Sequence, residues 1–274
     1  MTMAGSSKRF ARRVALPVLS RVNPGDITIT HHWTGRPFRV HSFRHKGYWY
    51  HRGNRERASM LMSARLLGPG DIVVEVGAHV GYLAEFFAEL IGPAGRLDVY
   101  EPAPDNLRYL QRNLAGRDNV SIHEVALSDE IGYASFFVED LTGQNNSLVA
   151  DYEVLEGNQS RAGVRAHLTE IRVPTDTLDN RYANAERLDF IKVDVEGAEL
   201  QVLRGGTQVL STLRPIVFVE ISLNHEQTRD FLRALGYRLF APDGTEETGA
   251  SGLENHFALH RDAHAHLIRG LGAE

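Results

Sequence analysis

Asp71-Ile-Val-Val-Glu-Val-Gly-Ala-His-Val-Gly-Tyr-Leu83 decides the fold of this chain. Ile72, Val73, Val74 and Val76 form a short β-branched run, the pattern of a strand buried in a parallel sheet. Gly77 and Gly81 follow, and Leu83, Phe86, Phe87, Leu90 and Ile91 then recur at helical spacing. Strand, glycine turn and helix make the first unit of a doubly wound α/β domain. The glycines permit a sharp turn and a close approach of the backbone to a ligand, and the helix offers its N-terminal N–H groups there.

Glu75 stands two positions before Gly77. A carboxylate at that place repels a pyrophosphate, and G-x-x-x-G is not the G-x-G-x-x-G spacing of a dinucleotide site. A ligand with positive charge fits better. S-adenosylmethionine (SAM) has a sulfonium and an ammonium, and a carboxylate that can use the helix N-terminus. The plain alternative is a solvated strand end followed by a simple turn, so the other strand ends carry the decision.

Ligands in an open α/β sheet bind beyond the C-terminal ends of the strands. Gly95-Arg-Leu-Asp-Val-Tyr-Glu101 reads as a second strand ending in an acid, 24 residues after Gly77. That is near the spacing of a carboxylate that bonds a ribose diol, a group SAM and NAD share. Val120-Ser-Ile-His-Glu-Val125 is a third strand, and Ala126, Leu127, Ser128 and Asp129 after it stand where an adenine is bracketed. Leu188-Asp-Phe-Ile-Lys-Val-Asp194 is a fourth, running into Val195-Glu-Gly197, and Pro215-Ile-Val-Phe-Val-Glu-Ile221 a fifth. Asp194 and Glu220 would face the centre of the cleft, where a carboxylate can orient or deprotonate a hydroxyl or hold a cation. Glu196 and Glu199 could instead support a first helical turn.

Around this framework lie simpler expectations. At 274 residues, 42% hydrophobic and 24% charged, the chain can bury the core of one large domain with additions. The absence of cysteine excludes disulfides, thiolate zinc sites and a cysteine nucleophile. No apolar run approaches the ~20 residues of a membrane span. The basic start has a short apolar part containing Pro17 and no small-x-small cleavage site, so a cytoplasmic protein is expected.

Residues 1–57 hold 12 of the 30 Lys and Arg but only two acids, a net of +10 against −15 for the remainder. They read as a basic arm and small β-rich cap, with 58–260 as the main domain and 261–274 as a polar tail. The basic arm can pack on the acidic domain, its own or that of a second copy in a homodimer. It can equally attract an anionic substrate or make weak contact with a membrane surface. Residues 1–23 read as a weakly amphipathic helix and Thr169 to Val173 as an edge strand. Tyr237 to Phe240 and His256 to Leu259 read as a closing strand pair. Residues 140–166 form a long polar loop.

Together these motifs resemble the FkbM-type family of class I SAM-dependent methyltransferases. The matching pieces are Glu75-Val-Gly-Ala-His-Val-Gly81, Glu101-Pro-Ala-Pro-Asp-Asn106, Ala126-Leu-Ser-Asp129, Thr177-Leu-Asp179, Ile191-Lys-Val-Asp-Val-Glu-Gly-Ala-Glu199 and Val219-Glu-Ile221. The Lys-Val-Asp-Val-Glu-Gly-Ala-Glu string is the most specific of them.

The resemblance implies a doubly wound, Rossmann-like class I methyltransferase sheet, mostly parallel with an antiparallel C-terminal strand, plus the small basic N-terminal cap. It implies methyl transfer from SAM to a hydroxyl of a sugar, glycolipid or polyketide. The SAM site would include Glu75, Gly77, Ala78, Gly81, Tyr82, Glu101, Pro102, Ala126, Leu127, Ser128 and Asp194. The chain departs from the family with Glu75 where Asp is commoner, and with His79 where Asn is usual.

A hydroxyl must also lose its proton. Candidate bases are Asp194, Glu196, Glu220, His225 and His256; Asp194, Glu220 and His225 are the leading catalytic set. A divalent metal is not favoured; if one binds, Asp194 and Glu220 would hold it. Nucleic acid is not the expected partner. The fourth strand lacks the Asn/Asp-Pro-Pro-aromatic run of an amino-group methylase, and a cytosine C5 enzyme needs a cysteine. For a sugar, the places to look are Tyr48, Trp49 and Tyr50, and Gln144-Asn-Asn-Ser147.

Overall fold

The computed structural model describes residues 24–139, 146–149, 167–249 and 254–271. The expected helix in residues 1–23, most of the 140–166 loop, including Gln144 and Asn145, and the last three residues lie outside them. The chain divides into two compact units, Met1–Arg55 and Glu56–Glu274.

In the first unit, β1 (Asp26–Thr30) and β2 (Pro37–His41) pair antiparallel, and α1 (Lys46–His51) follows. Phe38 and Val40, alternate residues of β2, are fully buried, as the strand period requires. Tyr48 packs on Phe38 at 6.1 Å, with the Arg55 guanidinium 4.4 Å from its ring. Trp49 donates to the Ser42 carbonyl at 2.8 Å. Two of the three aromatics proposed for a sugar are therefore engaged inside the unit, and Tyr50 is the exposed one.

The second unit opens with α2 (Arg57–Leu66) and then alternates strand and helix: β3 (Ile72–Val76), α3 (Tyr82–Ile91), β4 (Arg96–Tyr100), α4 (Pro104–Asn113) and β5 (Val120–His123). After three intervening strands and a short helix come β9 (Phe190–Val193), α6 (Glu199–Arg204), α7 (Thr207–Thr212), β10 (Ile216–Glu220), α8 (His225–Ala234), β11 (Tyr237–Phe240), β12 (Asn255–His260) and α9 (Ala265–Leu271). The seven-stranded sheet has the order β11-β12-β10-β9-β3-β4-β5. β12 is antiparallel to both neighbours, and the pairings from β10 through β5 are parallel. This is the expected class I sheet with its reversed C-terminal strand. Strand order reverses between β3 and β9, which makes their ends the switch point where ligands bind.

Alternation sorts the two faces. Val74, Val76, Val193, Val217 and Val219 pack on Val202, Leu203, Leu210 and Leu232 from α6, α7 and α8. On the other face Phe87 of α3 meets Phe190 at 5.7 Å, and Phe218 stacks on Phe257 at 4.5 Å. Each such buried side chain contributes roughly 1.5–3 kcal/mol. That second face also carries a charged pair: Glu75 and Lys192 are direct neighbours across β3 and β9, with the apolar Phe218 next to Lys192 in β10.

A smaller sheet has the order β6-β8-β7, from β6 (Ala126–Leu127), β7 (Gly132–Glu139) and β8 (Leu168–Asp176). The strand expected at an edge over Thr169 to Val173 is longer and lies in the middle of this sheet. Along Leu168 to Thr175 β8 pairs with β7, and it gains β6 at Thr175 and Asp176. Pro174, with no N–H to donate, thus falls where one side of the strand is unpaired. Thr177 caps α5 (Leu178–Arg181) by accepting from Asn180 N at 3.1 Å. Among the described residues no helix is long and apolar enough to cross a membrane.

The C-terminal end is tied by histidines. His260 N donates to His264 Nδ1 at 2.9 Å, and His260 Nδ1 faces the N–H groups of Asp262 and Ala263 at 3.3 Å. Both Nδ1 atoms act as acceptors, which requires the neutral rings. Burial, with His260 and His266 nearby, pushes His264 down to about 4.

Candidate active site

β3 ends in a turn at Gly77, where φ is 80°. A Cβ on Gly77 would stand 1.8 Å from the Asp194 carbonyl oxygen. The close approach expected here of a ligand is made by the chain's own β9 end. His79 also has a left-handed backbone, φ 53°, and its N–H donates to Glu101 Oε2 at 2.8 Å. Histidine is one of the few side chains enriched in that conformation, so backbone geometry accounts for His79. Gly81, φ 84°, precedes α3, and a Cβ there would meet Leu110 at 2.7 Å. Ala78 and Tyr82 are buried beside it.

Glu75 is 1% exposed, and burial pushes its carboxyl up to about 8 in spite of Lys192. Its Oε1 is 3.7 Å from Lys192 Nζ, and its Oε2 meets no hydrogen-bond donor among the described residues. An ion pair at 3.7 Å and a pKa near 8 conflict. We favour a carboxyl that holds its proton much of the time near pH 7, because Lys192 lies closer to other groups. Its Nζ is 3.1 Å from Asp194 Oδ2 and 3.0 Å from the Gly77 carbonyl. Burial opposes the Lys192 charge, but Asp194 and Glu75 outweigh it and its pKa is raised.

Sequence reasoning missed Lys192 as a site residue, although one lysine inside the apolar run Phe190-Ile-Lys-Val193 was a signal, because a buried charge needs a partner. It also assigned Glu56 to the basic arm. Glu56 precedes α2, and its charge acts on Glu75, Lys192 and Glu220.

Asp194 follows β9, its side chain one-quarter exposed. Glu220 ends β10, and the charge of Asp194, then burial, push it up to about 8. Glu196 is raised by burial and by Asp194 and Glu220. Glu199 accepts from Gly197 N at 2.8 Å, the turn-supporting role weighed against a cleft role, and burial lifts it to about 7.

At the second strand end, Glu101 is buried and raised to about 7, chiefly by burial. Its Oε2 accepts from His79 N, and its Oε1 from Ala103 N at 2.9 Å and Asn106 Nδ2 at 3.3 Å. These bonds fix the carboxylate between the two turns, with Pro102 half-buried beside it. Each oxygen has a second lone pair for a diol. Ala126 and Leu127 are buried, and Ser128 N donates to the Asp176 carbonyl at 2.8 Å. Asp129 is exposed and accepts from Ser128 Oγ at 3.2 Å.

His225 begins α8, and its Nδ1 is buried without a hydrogen-bond partner among the described residues. The loop before it reaches the Asp194 turn, since a Cβ on Gly197 would meet Leu223 at 2.8 Å. His256 does not line the cleft. It is fully buried, 2.9 Å from Glu247 Oε1, and the other Glu247 oxygen lies 3.9 Å from Arg229. Asn146 Oδ1 accepts from Glu139 N at 2.9 Å, and Ser147 Oγ donates to the Glu196 carbonyl at 2.7 Å. Ser147 thus braces the turn after β9, and Asn146 the end of β7. Among the described residues no three His, Cys, Asp or Glu side chains are grouped to hold a metal ion.

Residues 75–239, more than half of the chain, match the Methyltransferase FkbM domain. The chain belongs to the FkbM methyltransferase family. Its match to this family begins at Glu75 and takes in β3, both turns, Lys192, Asp194, Glu220 and His225.

The chain is 28% identical over 165 residues to the 2-O-methyltransferase NoeI of Sinorhizobium fredii, covering 56% of this chain and 64% of that protein. It is 30% identical over 162 residues to the 31-O-demethyl-FK506 methyltransferase FkbM of Streptomyces tacrolimicus, covering 51% and 60%. The matches thus span less than two thirds of these curated relatives. Among solved structures it is similar to a methyltransferase FkbM from Methylobacillus flagellatus, with 13% identity, a TM-score of 0.43, and 77% of this chain and 60% of that chain covered.

Proposed function

We propose that this protein transfers the methyl group of SAM to a hydroxyl oxygen of a small molecule, with a sugar, glycolipid or polyketide glycoside as acceptor class. The observation that carries the reading is Glu75 at the switch point of the sheet. It is a buried carboxyl with one oxygen lacking a donor, placed where a cationic ligand would supply one. The names of two relatives, both O-methyltransferases, support oxygen as the acceptor atom.

In this reading Glu75 receives the ammonium of SAM, and Gly77, Ala78, Gly81 and Tyr82 shape the turn around the methionine half. Glu101 takes the ribose diol next to Pro102. Ala126, Leu127 and Ser128 border the adenine. SAM, when bound, supplies an activated methyl group, so most of the catalysis is positioning. The residues between 58 and 260 form the methyltransferase domain. Asp194, with Glu220 and His225 beyond it, faces the acceptor and receives its proton. The reading places the protein in the cytoplasm, where SAM is available.

Calorimetric titration with SAM and with NAD tests the cofactor, and SAM alone is expected to bind. A panel of simple pyranosides, followed by mass for a gain of one methyl group, tests the transfer. Asp194→Asn is expected to lower kcat by about 10²–10⁴-fold, the range for a positioned acid or base. A protein that ignores SAM, or an Asp194→Asn variant with full turnover, rules the reading out.

A further inference from the structure

The strand ends bring together many carboxylates and one ammonium that acts on them. Glu75 comes from β3, Asp194 from the end of β9, Glu196 and Glu199 from the turn into α6, and Glu220 from β10. Glu56 ahead of α2 and Glu254 ahead of β12 add charge that reaches Glu220. The cation acting on Glu75, Glu196 and Glu220 is Lys192.

Lys192 does not serve these groups equally. Its side chain is 3% exposed, and Nζ donates to Asp194 Oδ2 at 3.1 Å and to the Gly77 carbonyl at 3.0 Å. Glu75 is further away, at 3.7 Å. Glu220 makes no ion pair within 4.0 Å among the described residues. The strand period explains the choice. Lys192 and Asp194 are two residues apart and so lie on one side of the chain, whereas Phe218, not Glu220, is the direct neighbour of Lys192 in β10. The bond to Oδ2 fixes the rotation of the Asp194 carboxylate and leaves Oδ1 without a hydrogen-bond partner among the described residues.

We propose that Lys192 is a positioning residue that selects Asp194, over Glu220 and Glu196, to take the proton of the acceptor hydroxyl. The proposal rests on the methyl-transfer reading above. As the acceptor oxygen bonds to the methyl carbon, the carbon–sulfur bond breaks and sulfur keeps the electron pair. The hydroxyl proton passes to Asp194 Oδ1, which later releases it to water. Glu220 is poorly suited to that task, since the charge of Asp194 favours its protonated form.

The experiment has two arms. The first needs no acceptor: the side-chain carboxyl carbon of Glu220 is followed by NMR against pH in protein saturated with S-adenosylhomocysteine. Its midpoint is expected well above the ordinary glutamate value of 4.5, to fall by at least one unit in Asp194→Asn, and to rise in Lys192→Met. The second arm measures kcat against pH with the pyranoside panel. Lys192→Met is expected to lose about 100-fold in kcat at pH 7, the size of effect of a displaced catalytic group. Its pH profile should differ from that of the wild type, and Lys192→Arg should recover at least tenfold.

A uniform loss with the pH profile unmoved would assign Lys192 a purely structural role and overturn the proposal. Lost S-adenosylhomocysteine affinity with normal kcat at saturation would overturn it too, by confining Lys192 to Glu75. If Lys192→Met does not fold, Lys192→Gln takes its place in both arms, and an ordinary Glu220 midpoint in wild type refutes the proposal. Wild-type protein that binds no SAM fails the parent reading instead, and is recognised as such before any variant is made.

Discussion

Gly77→Ala tests the junction on which the site is built. A Cβ at Gly77 would lie 1.8 Å from the Asp194 carbonyl oxygen, against an ordinary contact of at least 3.4 Å. Either β3 or β9 must therefore retreat by about 1.6 Å. The retreat strains the Asp194 N–H bond to the Val76 carbonyl at 3.1 Å and both Lys192 bonds. Left-handed backbone costs a non-glycine residue roughly 1–2 kcal/mol, and overpacking adds about 1–3 kcal/mol. The sum, about 2–5 kcal/mol, is a large share of the roughly 5–15 kcal/mol that stabilises a domain.

For a unit of this size it lowers Tm by about 5–15 °C. SAM affinity and turnover should fall further than stability, because a shift of about 1 Å at a reacting group costs on the order of 10²-fold. Gly116→Ala is the control: φ there is 77°, near the 80° of Gly77, but nothing lies within 4 Å of the added carbon, so only the backbone cost of about 1–2 kcal/mol arises. The assay is thermal unfolding of both variants with SAM calorimetry. Equal Tm losses in the two, with unchanged SAM affinity in Gly77→Ala, would show that the contact with Asp194 does not matter.

Other outcomes follow from the buried charges. Glu75, raised to about 8 from 4.5, favours the folded free protein at low pH, and that contribution is lost as pH rises from 4.5 through 8. A bound ammonium should expel the proton, so SAM binding at pH 7 releases protons, read from the dependence of binding heat on buffer, and Glu75→Gln reduces the release. His264 has the opposite sign: lowered to about 4, it supports folding above 6.5 and loses that contribution as pH falls towards 4. The stability gap between wild type and His264→Ala should accordingly narrow over that interval in urea titrations. Arg117→Ala strips the buried Glu85 carboxylate of bonds at 2.6 and 3.1 Å and should cost about 3–5 kcal/mol by denaturant unfolding; a loss under 1 kcal/mol would contradict the pairing.

The core strands and their helices were legible because periodicity and turn residues are local properties of the chain, and the reversed last strand came with the family resemblance. The run Ile72-Val-Val74, the glycines at 77 and 81, and acids at strand ends carry their meaning without neighbours. The β7–β8 pair was less legible, since the partner of β8 lies about 35 residues earlier and the segment between is polar.

Side-chain assignments fared differently. Glu199 was read as a turn support, and its bond to Gly197 N agrees. His256 looked as available as His225 in one dimension, yet the Glu247 and Arg229 contacts that bury it come from other elements. His79 had no assignment until its left-handed backbone and its bond to Glu101 were visible.

The sequence by itself determined the class of fold and the family, because those depend on residue order and spacing. Tertiary structure alone decided that Gly77 is glycine on account of Asp194, that Glu56 reaches the site, and that Lys192 faces Asp194 more closely than Glu75. Each of these is a distance between residues far apart in the chain. Close approach and electrostatics depend on such distances, and only the folded register of β3, β9 and β10 sets them.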